Sequence, residues 1–293
     1  MKHFLLLFTL LFSLNFSAQQ NLEWLKLNPY QTALFSDTLK ENSGLAFFEN
    51  KLYTFNDSGN TSEIFEIDRT SAKINKTWKT GLKNNDWEAI ATDSANFYIG
   101  DFGNNRGTRK HLAIYKIPFK DSLHLNSIQK IPFFYPEQDS FEARNLNTDY
   151  DAEAMVVLNG KIHVFTKEWF SKGVAHYVID PTLTENQPAH KIEYYQTDIV
   201  VTDASYFQGK LYVVGYTKKF EIYLGIFNET SPGIFFEQKA KKYYLGSTLA
   251  VGQIEGIAVD KSGVYISGEE FRTRFSKSKA RLYFIPMNKL PAH

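Results

Sequence analysis

A short signature recurs five times along the chain: an acidic or hydroxyl residue, a small residue, then usually an aliphatic one. The copies are Ser43-Gly44-Leu45, Glu88-Ala89-Ile90, Glu153-Ala154-Met155, Asp203-Ala204-Ser205 and Glu255-Gly256-Ile257, spaced 45, 65, 50 and 52 residues apart. Each opens an apolar strand-like stretch, and a second, more polar one follows it. Self-similarity at roughly 40–50 residues, with four short strands per unit, is the mark of a β-propeller. Equivalent positions in a propeller converge on one central channel. Four of the five copies should therefore aim a carboxylate into the same small space.

Runs of β-branched and aromatic residues bounded by Gly, Asn, Asp and Ser supply the strands. Aromatics make up 16% of the chain, with 25 Phe and 17 Tyr, and no long 3.6-residue periodicity competes with this reading. The first four units each provide four strands, opening at 44–48, 89–92, 154–158 and 204–207. The fifth provides only three, at 256–259, 264–268 and 281–285. Residues 21–27 alternate apolar and polar side chains and have no partner of their own. They are expected to fill the outer edge of the last blade and so close the ring. The long second step is assigned to loops at 103–110 and 136–148. The expected fold is all-β, a propeller of five four-stranded blades, with six the alternative if the second unit is two short ones.

Residues 1–18 read as a secretory signal peptide: Lys2 and His3, an apolar run from Phe4 to Phe12 interrupted by one Thr, then small residues up to Ala18. The run is too short to cross a bilayer, and nothing later approaches the ~20 apolar residues a spanning helix needs. Residues 19–293 would then form a single domain, periplasmic or secreted, not inserted in a membrane, and monomeric. Cysteine is absent, which removes disulfides, thiol chemistry and a lipid-attachment site. A formal net charge of +1 gives no bulk electrostatic case for nucleic acid or an anionic membrane as partner. The one basic stretch, Arg272, Arg274, Lys277, Lys279 and Arg281, lies between two strand-like runs and reads as a solvated hairpin.

The channel acids are the candidate metal ligands: Glu88, Glu153, Asp203 and Glu255. Asp86 and Asp151 each stand two residues before a signature Glu, and residues two apart on a strand share a face, so stacked pairs are expected. Crowded carboxylates take protons, bind a cation or pair with a base. Calcium, which takes 6–8 oxygen ligands, suits an all-oxygen set. The alternative is architectural, with the acids accepting backbone N–H bonds and Lys167 serving as internal counter-ion. Two D-x-G-N runs, Asp57-Ser58-Gly59-Asn60 and Asp101-Phe102-Gly103-Asn104, end second strands and are flanked by Asn56 and Asn105. These residues also form turns readily in their own right. With Lys167, Trp169 and Glu269 from later units they give one channel end the composition of a small polar-ligand pocket, which Trp87 and Trp169 could wall. No G-x-S-x-G elbow, Walker loop or H-E-x-x-H occurs.

Several runs together resemble an uncharacterised group of secreted bacterial β-propeller proteins. They are Asn-Asp-Ser-Gly at 56–59, Asp-Trp-Glu-Ala-Ile at 86–90, Tyr-Ile-Gly-Asp-Phe-Gly-Asn-Asn at 98–105, Asp-Ala-Glu-Ala-Met at 151–155, Phe-Thr-Lys at 165–167 and Ile-Glu-Gly-Ile at 254–257. The likeness runs from about Ser43 to Glu269. More distantly the chain is similar to regucalcin/gluconolactonase-type and phytase-like propellers, whose channel acids hold divalent metal, commonly calcium. The expectation is an exported propeller that binds a small polar molecule or an envelope protein at one end of an acidic channel. The alternative is a metal-dependent hydrolase of a lactone, ester or phosphoester, with Asp57 and Asp101 as candidate ligands or bases.

Overall fold

The computed structural model describes residues 22–290 apart from 121, 273, 275 and 276; the leader-like residues 1–18 lie outside that range. Five small antiparallel sheets form a five-bladed propeller, which leaves no place for a sixth blade within the second unit. Blade one comprises Asn42–Phe48, Lys51–Asn56, Glu63–Ile67 and Ile74–Lys79. Blade two comprises Trp87–Thr92, Asn96–Asp101, Leu112–Pro118 and Gln129–Phe134. Blade three comprises Ala152–Leu158, Lys161–Thr166, Val174–Ile179 and His190–Tyr195. Blade four comprises Val200–Phe207, Lys210–Tyr216, Glu221–Asn228 and Lys241–Ser247. Blade five takes Gln253–Asp260, Gly263–Glu269 and Arg281–Pro286 from the end of the chain.

The fourth strand of blade five comes from the N-terminal side, as expected, but from a different segment. Gln31–Leu34 pairs antiparallel with Arg281–Pro286, whereas Leu22–Trp24 lies parallel on Lys241–Ser247 and extends blade four. The alternation in 21–27 has its own cause: Leu25 and Leu27 bury in the core between blades four and five. A 3-10 turn at Asn28–Tyr30, with Pro29 in it, then redirects the chain to the closing edge. The basic stretch near the end does form a hairpin, Phe271–Arg272 against Lys277–Ser278.

The core is divided among five interfaces, one between each pair of adjacent blades. Strand alternation feeds two of them at once. In Lys161–Thr166, Ile162 and Val164 join the blade two–three core while Phe165 joins the blade three–four core. In Lys210–Tyr216, Leu211 and Val213 face blade three, and Tyr212 and Val214 face blade five. Three of the innermost hairpins turn on two residues with positive φ: Glu49-Asn50, Asn159-Gly160 and Gln208-Gly209. Such turns match the twist of the flanking strands. The five innermost strands pack in a closed ring around the axis, and that ring positions the site.

Candidate functional site

Each innermost strand carries a register shift against its second strand at the signature. Pairing skips from Trp87 to Ala89, from Ala152 to Ala154, from Val201 to Asp203, from Ile254 to Gly256 and from Asn42 to Leu45. A β-bulge leaves one residue unpaired and re-aims its side chain. The residues so released are Glu88, Glu153, Thr202, Glu255 and, beside Gly44, Ser43. In blade four the bulged residue is thus Thr202, and Asp203 falls where the other blades have Gly or Ala. The small residue is required because the inner strands nearly touch there. A Cβ on Gly256 would stand 3.0 Å from the Gly44 carbonyl carbon and 2.3 Å from Ser267 Oγ.

Asp203 accordingly does not project with the other acids. Its Oδ2 accepts the backbone N–H of Ile257 at 2.7 Å and of Leu45 at 3.3 Å, and its Oδ1 accepts that of Ala204 at 2.8 Å. It ties blades four, five and one together across the channel. On one side lies a small recess of about 130 Å³ lined largely by apolar residues from the third signature position onward, Leu45, Ile90 and Met155 among them. On the other lies a polar cavity of about 420 Å³ to which all five blades contribute.

Ser43, Glu88, Glu153 and Glu255 line this cavity from the bulges. Lys167, at the end of a second strand, drives its ammonium among them and bonds to the Glu153 carboxylate, both groups being almost wholly buried. The same ammonium stands 5.0 Å from the Trp169 ring centre and 5.4 Å from that of Tyr216. Burial alone would lower the Lys167 pKa, but Glu153, Tyr216, Glu255 and Asp151 around it hold it well above its ordinary value. One lysine cannot neutralise so many acids. Burial, then Glu153 and Asp86, push Glu88 well above the carboxylate range, and burial also raises Glu255. Glu269 at the rim is pushed well up by burial, then by Glu255 and Asp57. Gln253 Nε2 spans the wall, donating to Glu255 Oε1 at 2.5 Å and to Glu269 Oε1 at 2.7 Å.

Of the residues assigned to ligand binding from sequence, Asp57, Asn105, Lys167, Trp169 and Glu269 line the cavity. Asn56, Asp101 and Asn104 do not, and each is bound to the frame. Asn56 donates to the Thr38 carbonyl at 2.8 Å. Asp101 is clamped by Arg109 at 2.7 Å and by Asn85 at 2.7 Å. Asn104 donates its N–H to Asp151 at 2.6 Å and accepts that of Arg109 at 2.8 Å. Trp87 is no wall either; it is buried in the core between blades one and two.

The Asp86/Glu88 pair converges on one point. Asp86 and Glu88 both approach Gly103, where a Cβ would lie 2.6 Å from each carboxyl. Asp151 instead accepts the Trp169 indole N–H at 3.0 Å and so sets the orientation of that ring. Missed from sequence were Asn145, Leu146 and Gln253, while Ser58 lines the cavity from the first D-x-G-N run. Gln253 occupies the place that Asp86 and Asp151 hold before their signatures, a signal hidden by its lack of charge. Asn145 and Leu146 come from the long loop after blade two, which bonds back at Leu146 N to the Asn105 carbonyl, 3.1 Å away.

The donor set does not suit the expected calcium ion. Glu153 is committed to Lys167 and Asp203 to backbone N–H groups. Among the described residues no three acidic or histidine side chains converge closely enough to hold a metal. No helix among them is long and apolar enough to cross a membrane.

No protein-family model matches the chain, and no curated protein does. Several solved structures are similar to it at low identity. A tail fibre of a Staphylococcus aureus phage is 10% identical with a TM-score of 0.49, over 90% of this chain and 55% of that one. A protein assigned as an oxidoreductase (glucose dehydrogenase) from Thermus thermophilus is 10% identical with a TM-score of 0.47, over 86% of this chain and 98% of that one. A protein assigned as a 6-phosphogluconolactonase from Bacteroides uniformis is 11% identical with a TM-score of 0.36, over 87% and 72%. Likeness at this level lends nothing to the chemistry of the site.

Proposed function

We propose that the protein binds a small polar molecule in the cavity at the Lys167 end of its channel. The supporting observation is the cavity's construction. All five blades line it, Asp203 bridges the channel beneath it, and its polar groups converge on one space of about 420 Å³. That size falls within the usual range of small-molecule sites, roughly 300–1,000 Å³. Trp169 and Tyr216 offer it apolar faces, and Asn105, Asn145 and Gln253 offer amide groups. The hydrolase alternative would need Glu153 and Asp203 free to coordinate an ion, and neither is. Export to the periplasm or beyond belongs to the same proposal and rests on residues 1–18 alone.

The test is a thermal-shift screen of sugars, polyols, amines, hydroxy acids and lactones, repeated on Ser58→Trp, which places an indole at the cavity mouth. Saturable hits that the substitution abolishes support the reading. Hits indifferent to it, or an envelope protein that binds equally well to both forms, would refute it.

A further inference from the structure

Resting on that reading, we propose that the bound molecule is an organic cation, a small primary amine or amino sugar, whose ammonium docks on Glu255.

Asp57, Glu88, Glu153, Glu255 and Glu269 line the cavity, and Lys167 is the one basic residue among the described lining residues. Its ammonium is already bonded to Glu153. Four carboxyl groups are left without a bonded cation, Lys167 reaching Glu88, Glu255 and Glu269 only through the field of its charge, and no cationic group is left to receive a phosphate or a carboxylate. The cavity also holds a buried acceptor without a donor. Glu255 is 5% exposed; its Oε1 accepts from Gln253, no N–H or hydroxyl donor reaches its Oε2, and only the Glu153 carboxyl otherwise stands within hydrogen-bond range of the side chain. An unmet buried acceptor is costly, and a carboxylate oxygen is best satisfied by a charged N–H donor.

Convergence of the acids separates an organic cation from a metal ion. Calcium gathers 6–8 oxygens at 2.3–2.6 Å around one point, and no three acids of the described residues converge in that way. An ammonium carried on carbon needs less convergence. It can bond Glu255 on one wall while its carbons lie against Trp169, Tyr216 and Leu146 on others. Aromatic faces beside a cation add further attraction.

The experiment is calorimetric titration of the protein with glucosamine, glucose and glucose 6-phosphate, which share a ring and differ in charge. 1,4-Diaminobutane serves as a ring-free amine and CaCl₂ as the inorganic cation. The expected result is saturable binding of an amine that weakens as NaCl is raised, with no binding of glucose 6-phosphate. Glu255→Gln keeps the side-chain shape and should weaken amine binding at least tenfold, the order expected when a charged hydrogen-bond partner is lost. Asp57→Asn at the mouth should weaken it by a smaller factor and guards against a folding defect in the first variant.

Equal binding of glucose and glucosamine, displacement of the amine by calcium, or unchanged amine affinity in both variants would overturn the proposal. If no amine binds while a neutral or anionic molecule from the screen does, the cation is refuted and the cavity reading stands. If nothing in the screen binds, both fall.

Discussion

Asp203 of blade four accepts the backbone N–H of Ile257 in the neighbouring blade five at 2.7 Å, beside the axis of the propeller. Together with Leu45 N and Ala204 N this gives one side chain three backbone donors from three blades. Removing it leaves three N–H groups at the crowded axis unmet. Asp203→Ala should therefore destabilise the fold by about 3 kcal/mol or more, since each unsatisfied buried group costs about 1–3 kcal/mol. Asp203→Asn should lie between Ala and wild type, because its amide keeps an accepting oxygen. Urea unfolding midpoints of the three proteins check this, and a neutral Ala substitution would remove Asp203 as the tie.

Lys167 and Glu153 neutralise each other at the floor of the cavity, where both are almost wholly buried. Breaking a buried pair by deleting one partner commonly costs about 3–5 kcal/mol, whereas replacing both can be nearly neutral. By the same measure Lys167→Met alone should cost about 3 kcal/mol or more. Lys167→Met/Glu153→Gln should recover most of it. Equal losses in the single and double variants would show that Lys167 matters for packing rather than charge.

Burial, then Glu41, Glu255 and Asp86, push the Asp57 carboxyl up to about 7. A raised folded-state pKa means that the folded protein prefers the protonated form. The stability it contributes is complete below the unfolded value near 4 and is lost as pH climbs through about 7. Asparagine mimics the protonated state, so Asp57→Asn should match wild type near pH 4 and exceed it above about pH 7 by roughly 2–4 kcal/mol. A difference that does not change between about pH 4 and 8 would contradict the assignment.

His163 lies between blades three and four, 2.8 Å from His176. Burial, then the second imidazole, lower it to about 4. Here the folded state resists protonation, so stability is intact above about 6.5 and falls as pH drops toward 4, by up to about 3 kcal/mol. The acid limb of the stability profile should be shallower in His163→Gln than in wild type.

Much of this was legible in the residues because a propeller repeats. The signature spacing places all five innermost strands, and the extra length of the second unit does fall in loops. Two things were not legible, and both arise from the bulges. A bulge is a pairing event, so the pattern around 202–204 admits two registers one residue apart, and only the ladder between Val200–Phe207 and Lys210–Tyr216 assigns the axis position to Asp203 and the bulge to Thr202. The frame residues Asn56, Asp101 and Asn104 have the same composition as cavity residues. What separates them is partnership with Thr38, Arg109 and Asp151, contacts as much as 47 positions away in the chain. The closing strand Gln31–Leu34 escaped notice because its half-buried, weakly alternating residues give no strand pattern.

The claim that matters most is that Lys167 holds the cation position at the heart of the acid cluster, leaving an organic-ligand cavity rather than an ion site. Thermal unfolding in excess EDTA and then across a calcium series tests it directly, with elemental analysis of the same sample. A ligand that binds only the folded state at 100 times its Kd stabilises by about 2.7 kcal/mol, enough to move the midpoint by a few degrees. The account predicts the same midpoint throughout and no stoichiometric metal. A calcium-dependent rise of several degrees, or one tightly held metal per chain, would contradict it.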